Sequence, residues 1–336
     1  MTFQAFIAGC AGLELSPDEC AFFKEARPWG LILFRRNIDS PAQVRALTAS
    51  FRDLLGADAA VLVDQEGGRV QRLTAPHWPV YPAAAAFGRA PGDDARLAAL
   101  GARLIAEDLR AVGIDVDCLP VLDTPASGSH RVIGDRAYAD NPADVARLGR
   151  AAAQGLMAGG VMPVMKHIPG HGRATADSHL ELPRVTVPRA ELETDFAPFR
   201  ANADLPAAMT AHVIYDALDT TYPATHSRVV IEEIIRGEIG FDGLLMTDDL
   251  SMQALDGRFF ERAARAFAAG VDLALHCNGD LTEAGAVAQA SPVLAGRALE
   301  RVERARAQVS AAFAGAEGFD PVEARAELLS ALAALA

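Results

Sequence analysis

MKHIPGHGRATADSHLELP, Met165 to Pro183, sets three histidines, an aspartate and four Gly or Pro residues between two apolar segments. Pro169, Gly170 and Gly172 cannot continue a helix or a strand. The spacing therefore predicts that Lys166 and His167 end a strand, and that Asp177 and His179 ride on a polar loop, where function usually sits. Asp177 is two residues from His179. Its carboxylate can accept the imidazole Nδ1 proton, fix the tautomer and raise the histidine's pKa, which makes the pair a candidate oriented acid/base.

Outward from this segment the chain alternates. Eight short apolar runs are Phe3 to Ala8, Gly30 to Phe34, Ala60 to Asp64, Ile114 to Val121, Met162 to Lys166, Ala207 to His212, Gly243 to Thr247 and Val271 to His276. Helical patterns separate them, and Ser16, Ser40 and Asn141 each precede a proline as helix caps. Such alternation implies a parallel sheet with right-handed crossovers. Nearly continuous apolar content implies closure into a TIM-type (β/α)8 barrel of the α/β class, with a doubly wound open sheet as the alternative. The barrel is favoured because the later runs end in polar groups that would share one rim: Arg35 to Asn37, Asp64 and Glu66, Asp123, Lys166 and His167, His212, Asp248 and Asp249, His276 and Asn278. One domain, residues 1–315, is expected, with a C-terminal helical tail at 316–336.

Lys plus Arg is 31 against 44 for Asp plus Glu, a net charge of -13, which argues against nucleic acid or a basic membrane surface as partner. The N-terminal MTFQAFIAGCAGLELSPDE reads as neither a secretory signal nor a membrane span, so a cytoplasmic location is expected. Cys10, Cys20, Cys118 and Cys277 lack metal or disulfide spacing. His167, His171 and His179 have ligand-like spacing, but Pro169 and Gly170 break the helix on which a zinc pair usually sits, so no metal and no cofactor is expected. The oligomeric state stays open, with a monomer favoured.

Three further constellations matter. In DQEGGRVQR, Asp64 to Arg72, Asp64 can accept two hydroxyl hydrogen bonds beside a sharp Gly-Gly turn; the bland reading is a structural bridge from Glu66 to Arg69 or Arg72. Arg136 lies in a long segment, Thr124 to Asn141, and offers a bidentate fork; otherwise it is a surface arginine. A lysine closing a buried strand is costly unless paired or facing ligand, which singles out Lys166 over His167. TDDLSM, Thr247 to Met252, puts two carboxylates side by side; only one can face a substrate, while Asp249 can cap a helix start.

Taken together and in this order, DQEGGRVQR, VIGDR (132–136), KHIPGHG with TADSH after it, and TDDLSM resemble glycoside hydrolase family 3, and within it the single-domain bacterial β-N-acetylhexosaminidases. The similarity runs from the first apolar run through the eighth. Ile168 stands where the family commonly has an aromatic, and Arg173 replaces a small or acidic residue; both leave the catalytic pair intact. The resemblance implies Asp248 as nucleophile, His179 as general acid/base and Asp177 as its orienting partner. It implies that Asp64, Arg72, Arg136, Lys166 and His167 bind N-acetylglucosamine. The implied reaction is retaining release of terminal N-acetylglucosamine from β-1,4-linked anhydro-muramoyl peptides in cell-wall recycling. A family 3 β-glucosidase, a glycosyl phosphorylase and a noncatalytic sugar-binding barrel remain the alternatives.

Overall fold

The computed structural model describes residues 2–90, 94–128, 131–174, 178, 181–316 and 318–333. Among them eight parallel strands close into a barrel: β1 Gln4–Gly9, β2 Pro28–Leu33, β3 Ala60–Val63, β4 Val116–Asp117, β5 Met162–Ile168, β6 Ala207–Thr210, β7 Leu244–Asp249 and β8 Leu273–His276. Each pairs with its sequence neighbours, and β8 returns to β1 through Phe6 opposite Ala274 and Ile7 opposite Leu275. The α/β barrel is thus the observed fold, rather than the open sheet.

Helices α1 Pro17–Ala26, α2 Pro41–Leu55, α3 Asp94–Arg110, α4 Pro142–Ala158, α5 Leu192–Arg200, α6 Val229–Glu238, α7 Phe259–Ala269, α8 Leu281–Ala290, α9 Gly296–Ala314 and α10 Pro321–Ala333 surround or succeed the strands. Their starts are chemically fixed. Ser16 Oγ accepts the Glu19 amide at 3.2 Å while Glu19 Oε2 accepts the Ser16 amide at 2.8 Å, a reciprocal capping box. Ser40 caps α2 and Asn141 caps α4 through the Gln43 and Asp144 amides. Helix α6 is wound with π-type hydrogen bonds, as in Ile239 N to Ile234 O.

Two strands depart from their sequence runs. Ile114 to Val121 shrinks to two residues, because the Leu119 amide turns back onto the Asp117 carbonyl at 2.8 Å, and pairing resumes as a bridge from Val121 to Lys166. At β5 the strand passes through Lys166 and His167 and ends at Ile168, so Pro169 terminates it and the polar pair lies inside it. The register of β5 on β6 shifts between Lys166 and Ile168, and Ala211 N still donates to Ile168 O at 2.9 Å.

Helix α10 lies on α3, with Ala324 and Leu328 buried there. Leu328 alone contributes roughly 2 kcal/mol of apolar burial. No helix among the described residues is long and apolar enough to cross a membrane.

Candidate active site

A cavity of about 350 Å³ opens at the C-terminal ends of the strands, the face where barrels of this type place their sites. Its floor is an ion network. Lys166 Nζ, on β5, lies 2.8 Å from Asp64 Oδ1 and 2.7 Å from Glu66 Oε1. Arg136 grips Glu66 with two bonds, Nε to Oε2 and Nη2 to Oε1, both 2.8 Å. Arg72 Nη2 reaches Asp64 Oδ2 at 3.1 Å, and its guanidinium stands 5.3 Å from the centre of the Phe34 ring.

Burial alone would push both carboxyls up. The cations reverse it: Lys166 and Arg72 hold Asp64 well below the usual range, and Arg136 with Lys166 does the same for Glu66. Burial likewise disfavours the charged lysine, yet Asp64 and Glu66 raise Lys166 above its ordinary value. All three groups are ionised at neutral pH, so donors and acceptors stand preformed for a polyhydroxylated ligand.

Local chain geometry sets this floor. Gln65–Gly67 and Val70–Gln71 form a short antiparallel hairpin directly after β3. Its turn uses positive φ at Gly67 and Gly68, a conformation glycine adopts without a Cβ penalty. From the tip, Arg69 Nη2 reaches the carbonyls of Arg131, Val132 and Ile133 at 3.2, 2.5 and 3.1 Å, and Nε meets Asp135 at 3.0 Å. That clamp fixes the segment ending in Arg136.

Asp123, fully buried, organises the next part of the wall. Its Oδ2 accepts His167 Nδ1 at 2.7 Å, and its Oδ1 accepts the His171 amide at 2.6 Å. The bond fixes the tautomer of His167, which lines the cavity. Burial raises the Asp123 pKa, but His167 and His171 outweigh it and the net direction is down. His171, by contrast, is pushed down to about 4 by burial and then by His167. Its Nε2 meets Ser178 Oγ at 3.2 Å, and Ser178 also lines the cavity.

At the far wall, β7 presents the adjacent carboxylates. Asp249 Oδ1 accepts the amides of Ser251 and Cys277 at 2.9 and 3.1 Å, and Oδ2 accepts the Ser251 hydroxyl at 2.5 Å. It holds a turn, since the next helix begins only at Phe259. Asp248 lines the cavity, with Oδ1 accepting the Asp249 amide at 2.8 Å.

The structure thus brings Asp64, Arg72, Arg136, Lys166, His167 and Asp248 to one cavity. Asp177 and His179 lie outside the described residues. Glu66 binds Arg136 and Lys166, in place of the Arg69 or Arg72 bridge read from the sequence, and Arg136 is not a surface arginine, its side chain being only 10% exposed. Several rim groups turn to structural work: Arg36 and Asn37 bind the Cys10 carbonyl, His212 binds Thr225 and the Asp249 carbonyl, and His276 binds Glu283. The sequence reading passed over Glu66 and Asp123 as working parts. Arg72, Arg136 and Lys166 set against Asp64 and Asp248 leave one positive charge unbalanced, and that imbalance was the signal for Glu66.

The chain matches the glycosyl hydrolase family 3 N-terminal domain over residues 17–311. It is 42% identical over 287 residues to a beta-hexosaminidase of Alkalilimnicola ehrlichii, covering 83% of this chain and 82% of that protein. It superposes on NagZ from Neisseria gonorrhoeae, crystallised with N-trifluoroacetyl-D-glucosamine, with a TM-score of 0.86, 33% identity and 99% of both chains covered. A family 3 beta-N-acetylglucosaminidase from Paenibacillus sp. str. FPU-7 gives a TM-score of 0.82 at 35% identity, with 94% of this chain spanning 62% of that longer one. With matches of this extent the chain belongs to glycoside hydrolase family 3.

Proposed function

We propose that this glycoside hydrolase is a retaining exo-β-N-acetylglucosaminidase. Its substrates are β-1,4-linked N-acetylglucosaminyl anhydro-muramoyl peptides, from which it releases the terminal sugar during cytoplasmic cell-wall recycling. The observation that supports the reading most is the division of labour on β7: Asp248 and Asp249 both line the cavity of the Asp64, Glu66, Lys166 and Arg136 network, but both oxygens of Asp249 are committed to Ser251 and Cys277. An N-acylated glucosamine bound in the gonococcal NagZ, and the beta-hexosaminidase name of the curated relative, support the sugar class.

In this reading Asp248 attacks the anomeric carbon and forms a covalent glycosyl-enzyme. His179, oriented by Asp177, donates a proton to the leaving oxygen and then takes one from water. Asp64 and His167 Nε2 accept sugar hydroxyls, while Lys166, Arg136 and Arg72 donate to the sugar. The ion pairs exist before substrate arrives, so little reorganisation is needed on binding. Hydrolysis of p-nitrophenyl N-acetyl-β-glucosaminide, beside the matching glucoside, tests the proposal in wild type and Asp248→Asn. Selective activity on the N-acetyl sugar, lost in the variant, supports it. Activity on the glucoside alone overturns the substrate.

A further inference from the structure

Asp108 on α3 connects the C-terminal helix to the hairpin that bears Glu66. Tyr81 Oη donates to Asp108 Oδ2 at 2.5 Å. On the same carboxylate, Arg325 Nη2 of α10 lies 3.5 Å from Oδ1, and its guanidinium stands 5.8 Å from the centre of the Tyr81 ring. Tyr81 is buried and Asp108 only partly exposed, so the hydroxyl makes a charge-assisted bond to the carboxylate, stronger than a bond between neutral groups.

The backbone of Tyr81 faces the opposite way, onto the hairpin. Its carbonyl accepts the Gly68 amide at 2.9 Å, and its own amide donates to Gln71 Oε1 at 2.9 Å. Gln71 Nε2 adds a bond to the Pro79 carbonyl at 2.6 Å. There is no slack between the two segments: a Cβ on Gly67 would stand 2.2 Å from the Pro82 carbonyl oxygen, and one on Gly68 would stand 2.7 Å from the Ala83 Cβ. A displacement of Tyr81 is therefore passed to the hairpin, because a close-packed contact transmits strain and does not absorb it. At its other side the hairpin places Glu66 on Lys166 and Arg136, and Arg69 on the 131–135 segment.

We propose that Arg325 is a positioning residue: through Asp108 and Tyr81, helix α10 sets the hairpin that holds Glu66, and so tunes affinity for the sugar. This rests on the proposed sugar-binding role of the cavity. The tail helix is then a working part of the site.

Steady-state kinetics on p-nitrophenyl N-acetyl-β-glucosaminide test it with Tyr81→Phe, Arg325→Ala, Arg325→Lys and Glu327→Ala in the full chain. Glu327 pairs with Arg96 between the same two helices without touching Asp108, and so reports helix attachment alone. Tyr81→Phe and Arg325→Ala are expected to raise KM about three- to ten-fold with kcat within about two-fold. Arg325→Lys should recover most of the loss, and Glu327→Ala should lower thermal stability with KM unmoved. An unchanged KM in Tyr81→Phe and Arg325→Ala, or an equal rise in Glu327→Ala, overturns the relay while the functional reading stands. A wild type silent on every glycoside strikes that reading instead; calorimetric titration of the same variants with N-acetylglucosamine then decides the relay, and no binding by any of them overturns both.

Discussion

Lys166 and Glu66 form an ion pair 2.7 Å long whose side chains are only 2% and 3% exposed. Two charges so buried persist because each has a second partner, Asp64 for the lysine and Arg136 for the glutamate. The pair joins β5 to the hairpin after β3, and it gives the cavity its floor before any ligand binds.

Replacing Glu66 with Ala leaves Lys166 and Arg136 short of a counter-charge. The expected cost is roughly 3 to 5 kcal/mol of stability, read from urea unfolding, together with a raised KM. A variant as stable as wild type would show that the pair is not holding the two strands together.

Acid should release the same network in a defined window. Asp64 and Glu66 have folded-state pKa values below the ordinary carboxyl range. Their stabilisation is fully present above the unfolded value of about 4 and is lost as pH falls through the depressed folded values. Urea midpoints measured from pH 5 downward should fall less steeply in a double Asp64→Asn, Glu66→Gln variant. Parallel curves would contradict the assignment.

His171 acts in the same direction but at higher pH. Its folded value is pushed down to about 4, so between there and its unfolded value the unfolded chain binds more protons, and stability falls as pH drops. The total effect is roughly 3 kcal/mol. His171→Gln should flatten the stability curve between pH 6.5 and 4, and an unchanged slope would place the titration elsewhere.

Arg136→Lys keeps the charge but loses the fork that makes two bonds to Glu66. KM on the N-acetyl sugar should rise about ten-fold or more, with a smaller change in kcat. Wild-type KM in the lysine variant would mean that charge alone suffices.

The acid role proposed for His179 is testable through leaving groups. His179→Ala should slow a poor alkyl leaving group far more than an activated aryl one, since only the former needs the proton. Equal losses on both would remove the residue from that step.

The barrel was legible in the sequence because its strands are apolar nearly throughout and end in polar groups, and its helices begin with Ser16, Ser40 and Asn141. The motifs also nominated Asp64, Arg136, Lys166 and Asp248 for one rim. Partner identity was not legible. Glu66 finds Arg136 at a sequence separation of 70 and Lys166 at 100, and Asp123 takes His167 and His171 from the next strand and its end; such pairings depend on barrel closure, which no local pattern encodes. The fourth strand stops short for a local reason, the Leu119 amide folding back on the Asp117 carbonyl, that apolar content masked. The part of Tyr81 was invisible for the same reason as Glu66, since its carboxylate partner stands 27 residues on and the cation 217 beyond that.

The most direct test of the covalent mechanism is mass spectrometry of the protein after exposure to a fluorinated, slowly released N-acetylglucosaminide. A retaining nucleophile predicts a stoichiometric adduct of one sugar on the peptide containing Asp248, absent from Asp248→Asn. No adduct from a turning-over enzyme, or a label on another residue, would contradict the covalent role of Asp248.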